Sequence, residues 1–552
     1  MEHFEIPFDL TINNLTLENL IAKGYLPYEV IPAITTKKLA EKAEKLSNFI
    51  KSFKGEQSSK YCSYSIPKVK HVRRTLGIPN PYHQLKLSES IIKNWKEIEG
   101  FIQRSTISLS KPIVNEFLSS NALRELRTFS RKINLSDISK HSILYSTDSR
   151  YLLKADISRF YPTIYTHIIP WALHSKELSK ASLSNKNLFK SLYGNDIDIF
   201  VRATQENQTI GIPIGPDTSL VISEIIGGAI DQRLEAELKE KRIRLKGFRF
   251  VDDFYLYFKT YSEAQIALST LHQIIKDLEL ELSPEKTHII ELPYLVEPKW
   301  TLELRIMQKK LETNDFSDDE ILIYFSRAFE LSKQYPNESV LKYAISEIAD
   351  LQIKVNSWEM YESLLYNAMV VEPSILSTAT EILLGYKKEK YPINKKKLKE
   401  TLFEIIFYHI SSRHTHEISW ALWLCKTFNF KIPTKLVKEL VKIDDCIISL
   451  ILLDLYSMNK IANLDISKWT HLLKKENLYS DYWLLIYESM LKGWLQPENG
   501  ENFLLEDKFF KYLFDNNISF YDSKKQVLPV KVNVSKTEMQ NKRNNRRKRR
   551  FY

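Results

Sequence analysis

The chain has 552 residues, 43% of them hydrophobic, with 79 Lys or Arg against 68 Asp or Glu. That length and apolar content suit two or three domains with sizeable cores and exclude a disordered or fibrous chain. The net charge of +11 is concentrated at one end: the last twelve residues, NKRNNRRKRRFY, carry seven cations and no acid, which leaves only +4 for the rest. Three widely spaced cysteines, Cys62, Cys425 and Cys446, exclude a disulfide framework or a Cys-rich zinc site and point to a reducing, cytoplasmic setting. The opening MEHFEIPFDL lacks both a basic and an apolar leader region, and the longest apolar run, Ile447–Leu453, stops at Asp454. Neither secretion nor membrane spanning is expected.

In chain order, residues 1–60 read as a mostly helical lead-in. Residues 61–300 alternate β-rich runs such as FRFV and FYLYF with helical stretches such as Ser262–Leu278, the mixture of an α+β domain. Ten of the thirteen glycines lie before residue 301. Over residues 301–530, segments such as EILIYFSRAFELSKQ and DYWLLIYESMLKGWL space apolar residues by three and four and break at Pro, Asn or Asp, which predicts stacked helices. No strict repeat is visible in the residues themselves. Residues 531–552 form a basic tail, either an electrostatic arm for nucleic acid or a solubilising segment.

Chemistry-bearing residues occur at five places. In IPKVKHVRRTLGIPNPYHQ, Lys68 and Arg74 bracket a hairpin where cations can clamp a triphosphate or simply be solvated. YLLKADISRFYPTIYT places Asp156 at the end of a β-rich run, where it suits either a metal or a helix N-cap. In GIPIGP, Gly211 and Gly215 allow close backbone approach to a nucleotide, as they would in an ordinary loop. KGFRFVDDFYLYFK predicts strand, turn and strand, with Asp252 and Asp253 at the apex. Adjacent carboxylates there repel each other unless a cation sits between them, and Mg²⁺, a hard ion, prefers such oxygen ligands. The pairs Asp318-Asp319 and Asp444-Asp445 lie in helical contexts and read as surface or cap residues. Lys286, after Pro284, is by itself a helix-start cation. A strand-end carboxylate beside a two-Asp hairpin is the arrangement that holds two metals for in-line phosphoryl transfer.

These stretches, in this order, resemble the reverse transcriptases over residues 61–300. YLLKADISRFY resembles motif A, FVDD motif C, QTIGIPIGPDTSLVISEI motif B, LELSPEKTHII motif D, and the Lys68–Arg74 segment the fingers. The resemblance implies a fingers and palm fold and two Mg²⁺ ions, with Mn²⁺ as a substitute, on Asp156, Ile157, Asp252 and Asp253. It implies dNTP binding by Lys68, Arg74, Ile157, Tyr161 and Gly215, and protonation of the departing pyrophosphate by Lys286. Tyr161, five residues after Asp156, would pack under the sugar and leave no room for a 2′-hydroxyl; the other reading is a core aromatic. Ile214 stands where motif B usually carries the glutamine of PQG, so template contacts depart from the family pattern.

FYPTIYTHIIPWALH and HTHEISWALWLC, with the long helical half, resemble bacterial antiphage reverse transcriptases of the abortive-infection and defence-associated group. No Cys-pair or HNH-like cluster and no RNase H acidic set follows the palm. The group resemblance implies a HEAT-like helical-repeat domain, homo-oligomerisation, and DNA made with little or no template on a protein primer, leaving product covalently attached. RNA templating by a non-coding RNA is the alternative within this reading. An inactive palm that serves as a nucleic-acid-binding phage sensor is the alternative of another class. His414, His416 and Cys425 read as packing residues, since no closing metal-ligand set is visible in the sequence.

Overall fold

A computed structural model of the chain describes residues 15–530, apart from 52, 54–56, 70–71, 116–126, 132, 134, 314–317 and 499. The basic tail lies outside the described residues.

Among the described residues eight strands form three sheets, all antiparallel in their pairings. Strands β1 (Cys62–Val69) and β2 (Val72–Ile78) make a hairpin, and β3 (Pro112–Val114) pairs with β4 (Phe129–Arg131). The third sheet has four strands in the order β6-β7-β5-β8: β6 (Gly247–Phe250), β7 (Asp253–Phe258), β5 (Tyr151–Asp156) and β8 (His288–Glu291). Its aromatic and branched residues fit a pleated surface, and Leu153, Ala155, Phe254 and Leu256 are buried against helices. The long helix Asp217–Glu240 is buried along most of its length, and Tyr261–Asp277, opened by a Thr260/Glu263 capping box, packs beside it.

After β8 every regular element in the described residues is helical, from Lys299–Thr313 to Lys508–Asp515. One hydrophobic cluster runs across residues 60 and 300. The N-terminal helices, the β1–β2 hairpin and the C-terminal helices share one hydrophobic cluster that includes Tyr25, Tyr64, Ile78, Trp300, Trp423 and Trp483. The reason is physical: a lone two-stranded hairpin is marginal in water and must bury its apolar face on something else. Polar links fix the seam. Arg73 donates to both oxygens of Glu417 at 2.6 and 2.8 Å, and Tyr64 Oη lies 2.9 Å from Ser419 Oγ. Trp483 Nε1 donates to the Ile78 carbonyl and Asn80 Nδ2 to that of Leu478. Cys446, from the helical side, acts on Cys62 of the hairpin and with burial raises its thiol well above the ordinary value. Among the described residues no single helix is long and apolar enough to cross a membrane.

Candidate active site

Strands β5 and β7 pair with Asp156 directly opposite Asp253, and β6 closes onto β7 with Phe250 opposite Asp253. The apex of that turn is therefore Val251-Asp252, while Asp253 already begins β7. Ile157 N donates to the Asp252 carbonyl at 3.1 Å, and Ser283 N to that of Asp156 at 2.7 Å, so motifs A, C and D meet through backbone bonds. The Ile157 side chain is fully buried in the core, which leaves only its backbone for a ligand.

Three carboxylates thus converge in a part-desolvated cluster. Burial, then the charge of Asp156, raises the Asp252 carboxyl above its ordinary range. Burial, then Asp252 and Asp156, pushes Asp253 up to about 7. The Lys286 ammonium donates to Asp156 Oδ2 at 2.7 Å. Burial works to lower the Lys286 pKa, but this bond and the charges of Asp156, Asp253 and Asp252 outweigh it and hold it above its usual value.

A native carboxyl that titrates near 7 holds its proton more tightly than the unfolded chain does. Its stabilising contribution is complete below the ordinary carboxylate range and is lost as pH rises through about 7. In the absence of divalent cations the Tm will therefore fall between pH 5 and pH 8, and Asp253→Asn will flatten that fall. A thermal melt series in chelator checks this, and an unchanged slope in the variant counts against it.

The other sequence-predicted residues fall at different distances from this cluster. Arg74, exposed on β2 opposite Ile66, acts by its charge on Asp252. Lys68 is exposed beside the register shift of the hairpin. Tyr161 is part-buried, its hydroxyl 3.0 Å from Ser223 Oγ, and Asp252 and Arg131 act on it electrostatically. Because Ser223 donates to the Leu220 carbonyl at 2.8 Å, the tyrosine is the donor to Ser223, and this fixes its ring.

Gly215 has φ +124, and a Cβ there would lie 2.5 Å from Pro27 Cγ. The space its missing Cβ leaves is taken up by the N-terminal segment at Pro27. The Gly215 carbonyl accepts from Arg127 at 2.7 Å, and Arg127 also binds Asp217. Ile214 packs part-buried against the shared core, and its carbonyl accepts from Gly77 N at 2.9 Å.

Sequence reasoning missed Arg249. Its side chain is wholly buried between Glu224 and Asp231 of the long helix, with contacts of 2.9–3.1 Å. It also donates to the Val251 carbonyl at 2.7 Å, while Val251 N donates to Ser110 Oγ. Val251 has φ +59, a left-handed conformation that costs a β-branched residue about 1–3 kcal/mol. Arg249 and Ser110 hold that turn, and the turn presents Asp252. Burial works to raise both acids. In Glu224 the arginine wins and leaves the carboxyl below its ordinary range, whereas in Asp231 burial wins. Gly227 belongs to the same device, since a Cβ there would meet the guanidinium at 2.5 Å.

Residues 77–316 match the family model described as reverse transcriptase (RNA-dependent DNA polymerase). The chain therefore carries a reverse transcriptase domain, and it is by that domain a nucleotidyltransferase. The match begins after Lys68 and Arg74. Among solved structures the chain is similar to telomerase from Candida albicans in complex with a TWJ fragment of telomeric RNA, at 13% identity and TM-score 0.28, over 79% of this chain and 70% of that one. It is also similar to apo telomerase from Candida tropicalis, at 11% identity and TM-score 0.32, over 78% of this chain and 77% of that one. At such scores only the family match carries the assignment. No curated protein matches the chain.

Proposed function

We propose that the chain is a Mg²⁺-dependent DNA polymerase of bacterial antiphage defence that joins dNTPs with little or no nucleic-acid template and primes from its own side chain. The observation that carries the polymerase reading is the convergence of Asp156, Asp252, Asp253 and Lys286 in one cluster. Domains of this kind use divalent metal ions, and the donor set fits one: hard oxygens, mutually repelling, in a site whose desolvation keeps one carboxyl protonated up to about 7. Asp156, Asp252, Asp253 and the Ile157 carbonyl would hold two Mg²⁺, or Mn²⁺. When bound, the ions lower the pKa of a primer hydroxyl and neutralise the triphosphate.

The chain's own residues do the remaining work. Arg74 and Lys68, on the exposed face of the hairpin, orient the triphosphate, Arg74 through a bidentate fork. Lys286 carries a proton at Nζ and stands at the carboxylates, where a departing pyrophosphate needs one. Tyr161, locked by Ser223, fills the space a 2′-hydroxyl would take. Tyr161→Ala should therefore raise rNTP use relative to dNTP use by about tenfold or more, since a steric clash of this kind is worth over 1 kcal/mol. Competition between labelled dATP and ATP reads it, and unchanged discrimination would return the ring to a core role.

Support for template independence comes from Ile214. Its aliphatic side chain is spent on packing the motif B loop against the shared core, so no polar group is offered to a template base at that position. The helices that follow β8 are built into the core of the hairpin, which leaves little chain for a separate thumb. The 29 tyrosines supply candidate priming hydroxyls. The defence assignment, the HEAT-like stacking and self-association rest on the resemblance of the helical half. Sequencing the DNA made by nuclease-treated protein, with and without added RNA, decides the template question. Unprogrammed sequence made without RNA supports the reading, and product complementary to added RNA, formed only in its presence, overturns it.

A further inference from the structure

The turn between helices Lys395–Ile410 and Thr415–Thr427 brings three donor side chains together. His409 ends the first helix, His414 caps the second, and Glu417 lies in its first turn. His409 Nδ1 and His414 Nδ1 face each other at 2.8 Å, and His414 Nδ1 is 3.8 Å from Glu417 Oε1. One atom from each residue falls within 4.8 Å of the others. This is the closing set that the sequence hid. His414 does have a partner, but it is His409, five residues upstream. His416 instead turns its Nδ1 to Tyr64 Oη, and Cys425 is buried among apolar side chains.

We propose that His409, His414 and Glu417 form a mononuclear site for a borderline transition-metal ion of the Zn²⁺ class, at the seam between the helical half and the β1–β2 hairpin. Ligands about 2.0–2.1 Å from a tetrahedral ion lie about 3.3 Å from one another, so the observed spacings need shifts on the order of only an ångström. Two imidazoles and a carboxylate are the donors such an ion prefers. Burial lowers the pKa of both histidines and so favours the neutral form, the one a metal can take. In Glu417 burial is outweighed by Arg73, and the carboxyl stays ionised. Arg73 is the outer partner that orients this ligand, as ligating carboxylates usually have. His414 is one-quarter exposed, which leaves a fourth position open to water.

The site is independent of the polymerase reading. Its role is to clamp the helix turn and, through Glu417 and Arg73, the strand that carries Arg74. The test is metal content of the full chain, purified without a polyhistidine tag and kept in excess Mg²⁺ to occupy the palm. About one Zn²⁺ per chain is expected after equilibration with micromolar Zn²⁺, and Co²⁺ in its place should give the strong visible band of four-coordinate geometry. His414→Gln, at a part-exposed turn, should weaken binding at least about tenfold with an unchanged circular dichroism spectrum. Should that variant fail to fold, the Co²⁺ band of the wild-type chain decides by itself. Sub-stoichiometric Zn²⁺ and a weak octahedral Co²⁺ spectrum, or full binding by a folded His409→Gln/His414→Gln chain, would overturn the proposal.

Discussion

Replacing Arg249 with methionine will destabilise the protein by about 3–5 kcal/mol, because it strands the buried carboxylates of Glu224 and Asp231 without their cation. The loss will reach the active site as well, since Arg249 donates to the carbonyl of Val251 in its left-handed turn. The two effects can be separated. Converting all three charged residues to apolar ones of similar volume removes the stranded charges and should recover much of the stability. It should not recover polymerisation, because the Val251 carbonyl then loses the guanidinium that holds the Val251-Asp252 turn from one side. Chemical denaturation and nucleotide incorporation on the two variants give the answer. An Arg249→Met protein within about 1 kcal/mol of wild type would show that the network is not what fixes the turn.

Asp252→Asn and Asp253→Asn have the opposite profile. Each removes a charge that its neighbours repel, so the Tm in chelator should hold or rise near neutral pH. Incorporation should fall by about a thousandfold or more, since a metal ligand acting on transition-state charge is worth several kcal/mol. A folded Asp252→Asn/Asp253→Asn double variant with near-normal incorporation would remove these carboxylates from the mechanism.

Much of this site was legible because its signals are local. Asp156 ends a β-rich run, and Asp252 and Asp253 sit at a hairpin between aromatic strands, so the pattern pointed to them, and the structure pairs Asp156 with Asp253 and leaves Asp252 in the turn. Lys286, by itself a helix-start cation, was singled out only through the resemblance to motif D, and its bond to Asp156 spans 130 residues. The misses are all long-range. Nothing in GFRF distinguishes an arginine bound to two acids of a helix from an ordinary strand cation. The partners of Arg249 lie 18 and 25 residues upstream and its supporting Ser110 in a separate loop. Gly215 was read from its conformational freedom, which it uses, but the ring that fills the space comes from Pro27, nearly two hundred residues away. The core shared across residue 300 was hidden for a related reason. Composition changes near residue 300, yet the hairpin of the first half and the helices of the second bury the same surface.

The central claim is that the carboxylate cluster polymerises dNTPs. It is tested most directly by incubating the purified, nuclease-treated full chain with labelled dNTPs and Mg²⁺ and resolving the products on a denaturing gel. Labelled DNA is expected to migrate with the polypeptide until protease releases it, with none formed in chelator or with rNTPs alone. Absence of labelled DNA under all conditions, with or without RNA, would contradict it.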